Sequence, residues 1–167
     1  MFRLLAAFVF ALWSFHANAE IPEEYRPIVV TPPFSLTERL VDLSNVIEKA
    51  RSENKPLYIY LGAEDCPPCR EYKKFLSRNH SELEEAFARV IVVDIHTWLK
   101  GPDLVFKIGE KRYSFNEFNV LVGDSTKFLT YPYFWFVSPA LRQLKQLPQR
   151  SRDYLQVDKQ LELLRIP

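Results

Sequence analysis

At 167 residues, 47% of them hydrophobic and 26% charged, the chain suits one folded domain and is too apolar to be disordered. Its 22 basic and 21 acidic residues leave a formal charge of +1, which gives no electrostatic case for nucleic acid or an anionic membrane surface as a partner. Twelve prolines against four glycines point to rigid connections rather than flexible linkers.

The first nineteen residues stand apart. Arg3 is the only charged side chain before Glu20, Leu4 to Phe15 is almost wholly apolar, and Ala17-Asn18-Ala19 follows. A basic start, a short apolar run and small residues two apart predict a secretory signal over residues 1–19, cleaved after Ala19. A retained membrane anchor is the alternative, but the run falls short of the roughly 20 apolar residues that span a bilayer. No cysteine lies near the cut to carry a lipid, and no later stretch is suited to crossing a membrane. The mature chain is thus expected to be exported, periplasmic or secreted. Losing Arg3 brings its basic residues level with the 21 acidic ones.

Glu20 to Phe34 carries prolines at 22, 27, 32 and 33 and reads as an extended lead-in, with Ile28-Val29-Val30 able to add an edge strand. A helix is predicted from somewhere between Leu36 and Leu43, with Leu43, Val46, Ile47 and Ala50 on one face. Lys55-Pro56 ends it, since a residue before proline avoids helical angles. Leu57 to Leu61 is an unbroken apolar run of strand length. Beyond Cys66 the pattern turns helical, with Cys69, Tyr72, Phe75 and Leu76 on one face. Pro67 and Pro68 are tolerated in a first turn, and Asp65 offers an N-cap. Ser81 to Ala88 reads as a further helix opened by a Ser81/Glu84 capping box, and Val90 to Val93 as a second buried strand. Within 96–129, a hairpin of Leu104–Ile108 with Arg112–Phe115 around Gly109-Glu110 competes at 114–115 with a helix. That helix would open on a Ser114/Glu117 capping box and end at Val122 and Gly123. Tyr133 to Val137 is a third strand, Ser138-Pro139 a turn, and Arg142 to Leu147 an antiparallel return. Val157, Leu161 and Leu164 mark a closing helix. This order predicts an α/β domain with a parallel pair early and a mixed sheet late.

The chain has two cysteines, Cys66 and Cys69, with Pro67 and Pro68 between them. Export places them where disulfides persist. A bond between them closes almost no loop and so adds little as a staple, which points to redox chemistry. Only a thiolate attacks a disulfide, and a helix N-terminus stabilises an anion. Cys66 is therefore expected to be solvent-accessible, more acidic than the roughly 8.5 of a free thiol, and the attacking residue. Cys69, one turn in, is expected to be shielded and to resolve the mixed disulfide. The competing readings are an inert buried pair, or a metal site that would need His80 and His96 as well, at a spacing unlike a zinc finger. His80 reads more simply as a loop residue beside a helix start and His96 as a strand-end polar residue. Residues 134–136 read as a central strand buried on both faces, and Phe115 and Phe118 as core. No phosphate loop or Gly-x-Ser-x-Gly elbow is present.

From about residue 43 onward the chain resembles the thioredoxin superfamily, in its exported branch. The likeness rests on Lys55-Pro56-Leu57-Tyr58-Ile59-Tyr60, on Cys66 to Cys69 followed by Arg70, and on Thr130-Tyr131-Pro132-Tyr133-Phe134; residues 96–129 fall outside it as an insert. It implies a thioredoxin-like α/β fold over 35–167, a central mixed sheet flanked by helices, after the lead-in of 20–34. It also implies a cis bond at Pro132, with Pro132 and the backbone of Tyr131 forming a groove that pairs with a substrate strand. The implied activity is thiol–disulfide exchange with exported, cysteine-containing proteins, reduction slightly favoured. The Cys66–Cys69 disulfide itself would carry the electrons, with no organic cofactor and no metal, and with a membrane-embedded redox partner in view. The chain departs from the family at three points. Asp65 stands where a tryptophan is common, Tyr60 where thioredoxin has a buried acid, and Pro-Pro fills the motif. Glu64 and Asp65 oppose a thiolate at Cys66, whereas Arg70 and Lys73 favour it, which leaves the potential and direction open. A rival reading is a protein- or metal-docking module with little turnover, supported by the unusual 96–129 segment.

Overall fold

Three apolar runs organise the molecule, which is described by a computed structural model over residues 21–146 and 152–165; the expected leader, 1–19, lies outside these residues. The runs form the strands β3 (Leu57–Ala63), β4 (Ile91–Thr97) and β7 (Tyr133–Val137), buried along almost their whole length. With β1 (Ile28–Val30) and β8 (Gln143–Lys145) they make a five-stranded sheet in the order β1-β4-β3-β7-β8. β1, β4 and β3 run parallel, while β7 and β8 are antiparallel additions. Side chains alternate across a strand, so each run feeds two cores. Leu57, Ile59 and Leu61 face one side, with Ile91, Val93, Tyr133 and Trp135. Tyr58 and Tyr60 face the other, with Val92, Phe134 and Phe136.

The helices α1 (Ser44–Glu53) and α4 (Phe115–Val122) cover the first side through Val46, Ile47, Ala50, Phe118 and Val122. The second side is covered by α2 (Pro67–Arg78), α3 (His80–Ala88) and α5 (Val157–Leu164), through Cys69, Tyr72, Leu76, Leu83, Phe87, Leu163 and Leu164. The molecule is thus α/β, with mixed sheets flanked by helices. Among the described residues no helix is long and apolar enough to cross a membrane.

The largest departure from expectation lies before α1. Glu38–Asp42 is a strand, β2, not the opening of a helix, and it pairs in parallel with β5 (Asp103–Ile108), which pairs with β6 (Lys111–Ser114). Its pattern is alternating, with Arg39 and Val41 inward. The helix starts only at Ser44, where Asp42 Oδ1 accepts the Ser44 amide at 3.0 Å. The 96–129 segment thus supplies two strands of a second, three-stranded sheet, whose Leu104 and Phe106 join the core under α1 and α4. Its hairpin and its helix both exist. Ser114 ends β6 and also caps α4, taking the Glu117 N–H on its hydroxyl while Glu117 takes the Ser114 N–H.

Four smaller expectations are corrected. The lead-in supplies the expected edge strand at Ile28–Val30 but is not otherwise simply extended: a helical turn at Glu23–Tyr25 sets the Tyr25 hydroxyl on the Leu76 carbonyl at 2.9 Å. The Ser81/Glu84 capping box does not form. Asn79 is both the last cap of α2 and the first of α3, so the helix begins a residue earlier and Ser81 falls inside its first turn. His80 is therefore helical, not a loop residue. In α5 the inward residues are Gln160, Leu163 and Leu164, while Leu161 points outward. Gln160 is held there by donating to the Tyr154 carbonyl at 3.1 Å.

Candidate active site

The site begins where the central strand β3 runs out. Glu64 N–H bonds to Thr97 O at the end of β4, and Cys66 N–H to Ala63 O, both at 3.0 Å. This turn delivers Cys66 to the head of α2, where it is the N-cap residue in an extended conformation. Pro67 and Pro68 have no N–H, so the two earliest unpaired donors of a helix do not exist here. Cys69 supplies the first free amide, and it donates to Cys66 Sγ at 3.2 Å. The sulfur takes the place that a serine or aspartate oxygen fills in other helices. Asp65, the expected cap, lies one residue too early and instead accepts the Leu99 N–H at 2.9 Å.

Cys66 and Cys69 are joined by a disulfide, with Cα atoms 5.3 Å apart, within the usual span. Cys69 is buried on the apolar face of α2, as expected. Cys66 is not solvent-accessible in this state: it is 1% exposed, as Cys69 is. The bond to Cys69 and the contact with the Cys69 amide turn its sulfur toward the helix rather than outward.

The Tyr131–Pro132 bond is cis and leads into β7. Tyr131 packs at the junction of the two cores, one of which contains both cysteines. Burial raises its phenol pKa above the ordinary value; Arg39 opposes this and Asp65 adds to it. The Tyr131 hydroxyl takes a hydrogen bond from Arg39 Nη1 at 3.1 Å. Arg70 donates to the Glu64 carbonyl at 3.4 Å, so it braces the turn before Cys66.

The core that holds both cysteines also holds three tyrosines in contact. Tyr60 stacks on Tyr72 with centroids 5.5 Å apart, and the hydroxyls of Tyr58 and Tyr72 are 2.6 Å apart. Tyr72 donates on to Gln160 at 3.4 Å. Burial pushes the Tyr58 and Tyr72 phenols well above their usual range, so both stay neutral and make poor bases. A buried acid stands one strand over from Tyr60. Asp94 pairs with Tyr60 in the parallel register and is fully buried, its Oδ2 accepting the Ile21 N–H at 2.9 Å.

Sequence reasoning missed two polar residues, Asp94 and Arg39. Asp94 was legible as the lone acid within Ile91-Val92-Val93-Asp94-Ile95. Arg39 was not, because the helical spacing of the leucines around it hides the strand it stands in. His80 lies with its ring 5.1 Å from that of Tyr25, and His96 sits within β4. Among the described residues, neither forms with the cysteines a group of three or more potential metal ligands. No protein family, curated protein or solved structure matches the chain.

Proposed function

We propose that the protein is a thioredoxin-like thiol–disulfide oxidoreductase acting on exported proteins. The observation that carries this reading is the position of Cys66. It caps a helix directly after the central strand, its sulfur receives the Cys69 amide, and it is already bonded to Cys69. On reduction, the same amide and helix end would stabilise a thiolate there. The strand order, with the cysteine helix after the central β3 and a cis bond before β7, is compatible with a thioredoxin-like fold.

In the reducing direction, Cys66 thiolate attacks one sulfur of a substrate disulfide. A Cys66–substrate bond forms, and the other substrate sulfur leaves as a thiolate. Cys69, once deprotonated, attacks Cys66 Sγ, re-forms the Cys66–Cys69 bond and releases the second substrate thiolate. Two electrons pass from the dithiol to the substrate, and the two protons of the dithiol end on the substrate thiols. Pro132 and the backbone of Tyr131 form the groove for the substrate strand. A membrane-embedded donor would restore the dithiol, and no organic cofactor or metal is invoked. The second sheet, β2-β5-β6, favours the rival reading of a docking module with little turnover.

Cys66→Ser, Cys69→Ser and the double variant, produced in an exporting cell, separate the two. Wild type is expected to reduce insulin, and both single variants to lose turnover. Cys69→Ser alone should hold proteins in complexes that dithiothreitol releases. Full turnover by the double variant, or absence of turnover in wild type, would end the redox reading.

A further inference from the structure

We propose that Arg39 is a positioning residue of this site, holding loop 98–102 and Tyr131 as two walls beside Cys66 that fit an extended polypeptide. The inference rests on the oxidoreductase reading and deepens it by naming a residue that positions the polypeptide-binding surface of the same site.

Arg39 occupies an inward position of β2, on the same face as Val41, and is 8% exposed. A guanidinium stays charged at any working pH, so its burial demands acceptors. Its Nε donates to Pro102 O at 2.7 Å, and its Nη1 to Trp98 O at 2.6 Å, Tyr131 Oη at 3.1 Å and Thr97 Oγ1 at 3.3 Å. One cation thus grips both ends of loop 98–102 and the residue before the cis proline. Gly101, packed against the Arg39 side chain, holds a φ of +156° that residues with a Cβ rarely adopt.

The loop is held from its other side as well. Leu99 N–H donates to Asp65 Oδ1 at 2.9 Å, and Asp65 immediately precedes Cys66. Loop 98–102, the Cys66 turn and Tyr131 therefore form one connected surface with Arg39 beneath it. Trp98 and Leu99 remain 40% exposed on this loop, offering apolar contacts to residues flanking a substrate cysteine. An extended chain must meet both walls in their correct relation, whereas a small disulfide needs only the sulfur.

The test compares wild type, Arg39→Met, Arg39→Lys and Tyr131→Phe in the mature chain. Each is assayed with an oxidised cysteine-containing peptide and with Ellman's reagent, and by amide hydrogen exchange. Arg39→Met is expected to lower kcat/KM about tenfold on the peptide, mainly through KM, the scale of one lost charge-assisted hydrogen bond. The loss on Ellman's reagent should stay within about twofold. The Leu99 amide should exchange about tenfold faster, with little change in α5. Arg39→Lys should recover part of the peptide loss. Tyr131→Phe removes a single acceptor and should give a smaller loss of the same selectivity; it carries the test if Arg39→Met does not fold. Equal losses on both substrates, or no loss on either, overturn the proposal. If wild type turns over neither substrate, the oxidoreductase reading fails on its own. Exchange then decides the role of Arg39, and an unchanged loop refutes it.

Discussion

Asp65 is the charge closest in sequence to the sulfur proposed to attack, and its replacement by asparagine isolates what that charge does. The asparagine amide keeps an oxygen for the Leu99 N–H that Asp65 now accepts at 2.9 Å, so the loop geometry is retained while the charge goes. Adjacent Cα atoms are about 3.8 Å apart, which places a carboxylate and a neighbouring thiolate roughly 6 Å from each other. At an effective dielectric of about 40–80, the repulsion is about 0.7–1.4 kcal/mol. Its loss multiplies the thiolate fraction about three- to tenfold at pH values below the thiol's titration. Pulsed alkylation of the reduced protein at mildly acidic pH, followed by peptide mapping, reads this directly. Cys66 should label about three- to tenfold faster in Asp65→Asn than in wild type, by the same electrostatic reckoning, and Cys69 much less so. Whatever shields Cys66 is common to both proteins and cancels in the ratio. Unchanged or slower labelling of Cys66 would refute the argument that Asp65 faces the reacting sulfur.

Two further expectations concern stability against pH. Hydrogen bonds from Ser44, and one from Lys107, hold the Asp42 carboxyl down at about 2. Its contribution is fully present above its unfolded value of about 4 and is lost as pH falls through the folded value. Because the side chain is 47% exposed, screening limits the effect to under about 1 kcal/mol; urea midpoints at pH 5 and pH 2.5 should differ less in Asp42→Asn than in wild type. Burial, aided by Glu24, Glu82 and Glu84, pushes Tyr25 up to about 12. Its neutral form therefore stabilises the fold fully below about pH 10, and that stability is lost as pH rises through the folded value. Tyr25→Phe should cost about 1 kcal/mol at neutral pH through the lost bond to Leu76, and should show a shallower loss of urea midpoint between pH 9.5 and 11.5.

Much of the architecture was legible because its strands are extreme. Leu57–Leu61, Val90–Val93 and Tyr133–Val137 are apolar at nearly every position, which only a strand buried on both faces requires. The capping box at Ser114 and the two prolines after Cys66 were legible for a different reason: each names a backbone donor and its fate. The errors came where two periodicities overlap. Leu36, Leu40, Leu43 and Ile47 fit a helical spacing, yet Glu38–Asp42 also alternates, and pairing with β5, more than sixty residues later, decides for the strand. In the closing helix Val157 and Leu164 face the core as expected, but Leu161 does not, because Gln160 turns inward to the Tyr154 carbonyl, a contact between elements that a hydrophobic pattern does not encode. A thiolate at the head of a helix faces solvent, which is why the Cys66 sulfur was expected at the surface, whereas the disulfide-bonded sulfur is buried.

The second sheet bears on how the two functional readings relate. A docking module added to a redox domain would be separable from it, touching the site through a linker or not at all. Here the sheet shares the core through Leu104 and Phe106, and its link to the site is made by backbone and by Arg39. Thr97, the last residue of β4, accepts the Glu64 amide beside the cysteine turn, and its hydroxyl also meets Arg39 from the other sheet at 3.3 Å. Arg39 in turn reaches Tyr131. Removing residues 98–129 would therefore do more than delete a surface. It would take the main acceptors from a buried guanidinium and the partner from Asp65, leaving a charge whose burial is no longer compensated. The loop that joins the added sheet to β4 is thus tied to the residue before Cys66, so a partner held by that loop would lie beside the cysteine turn.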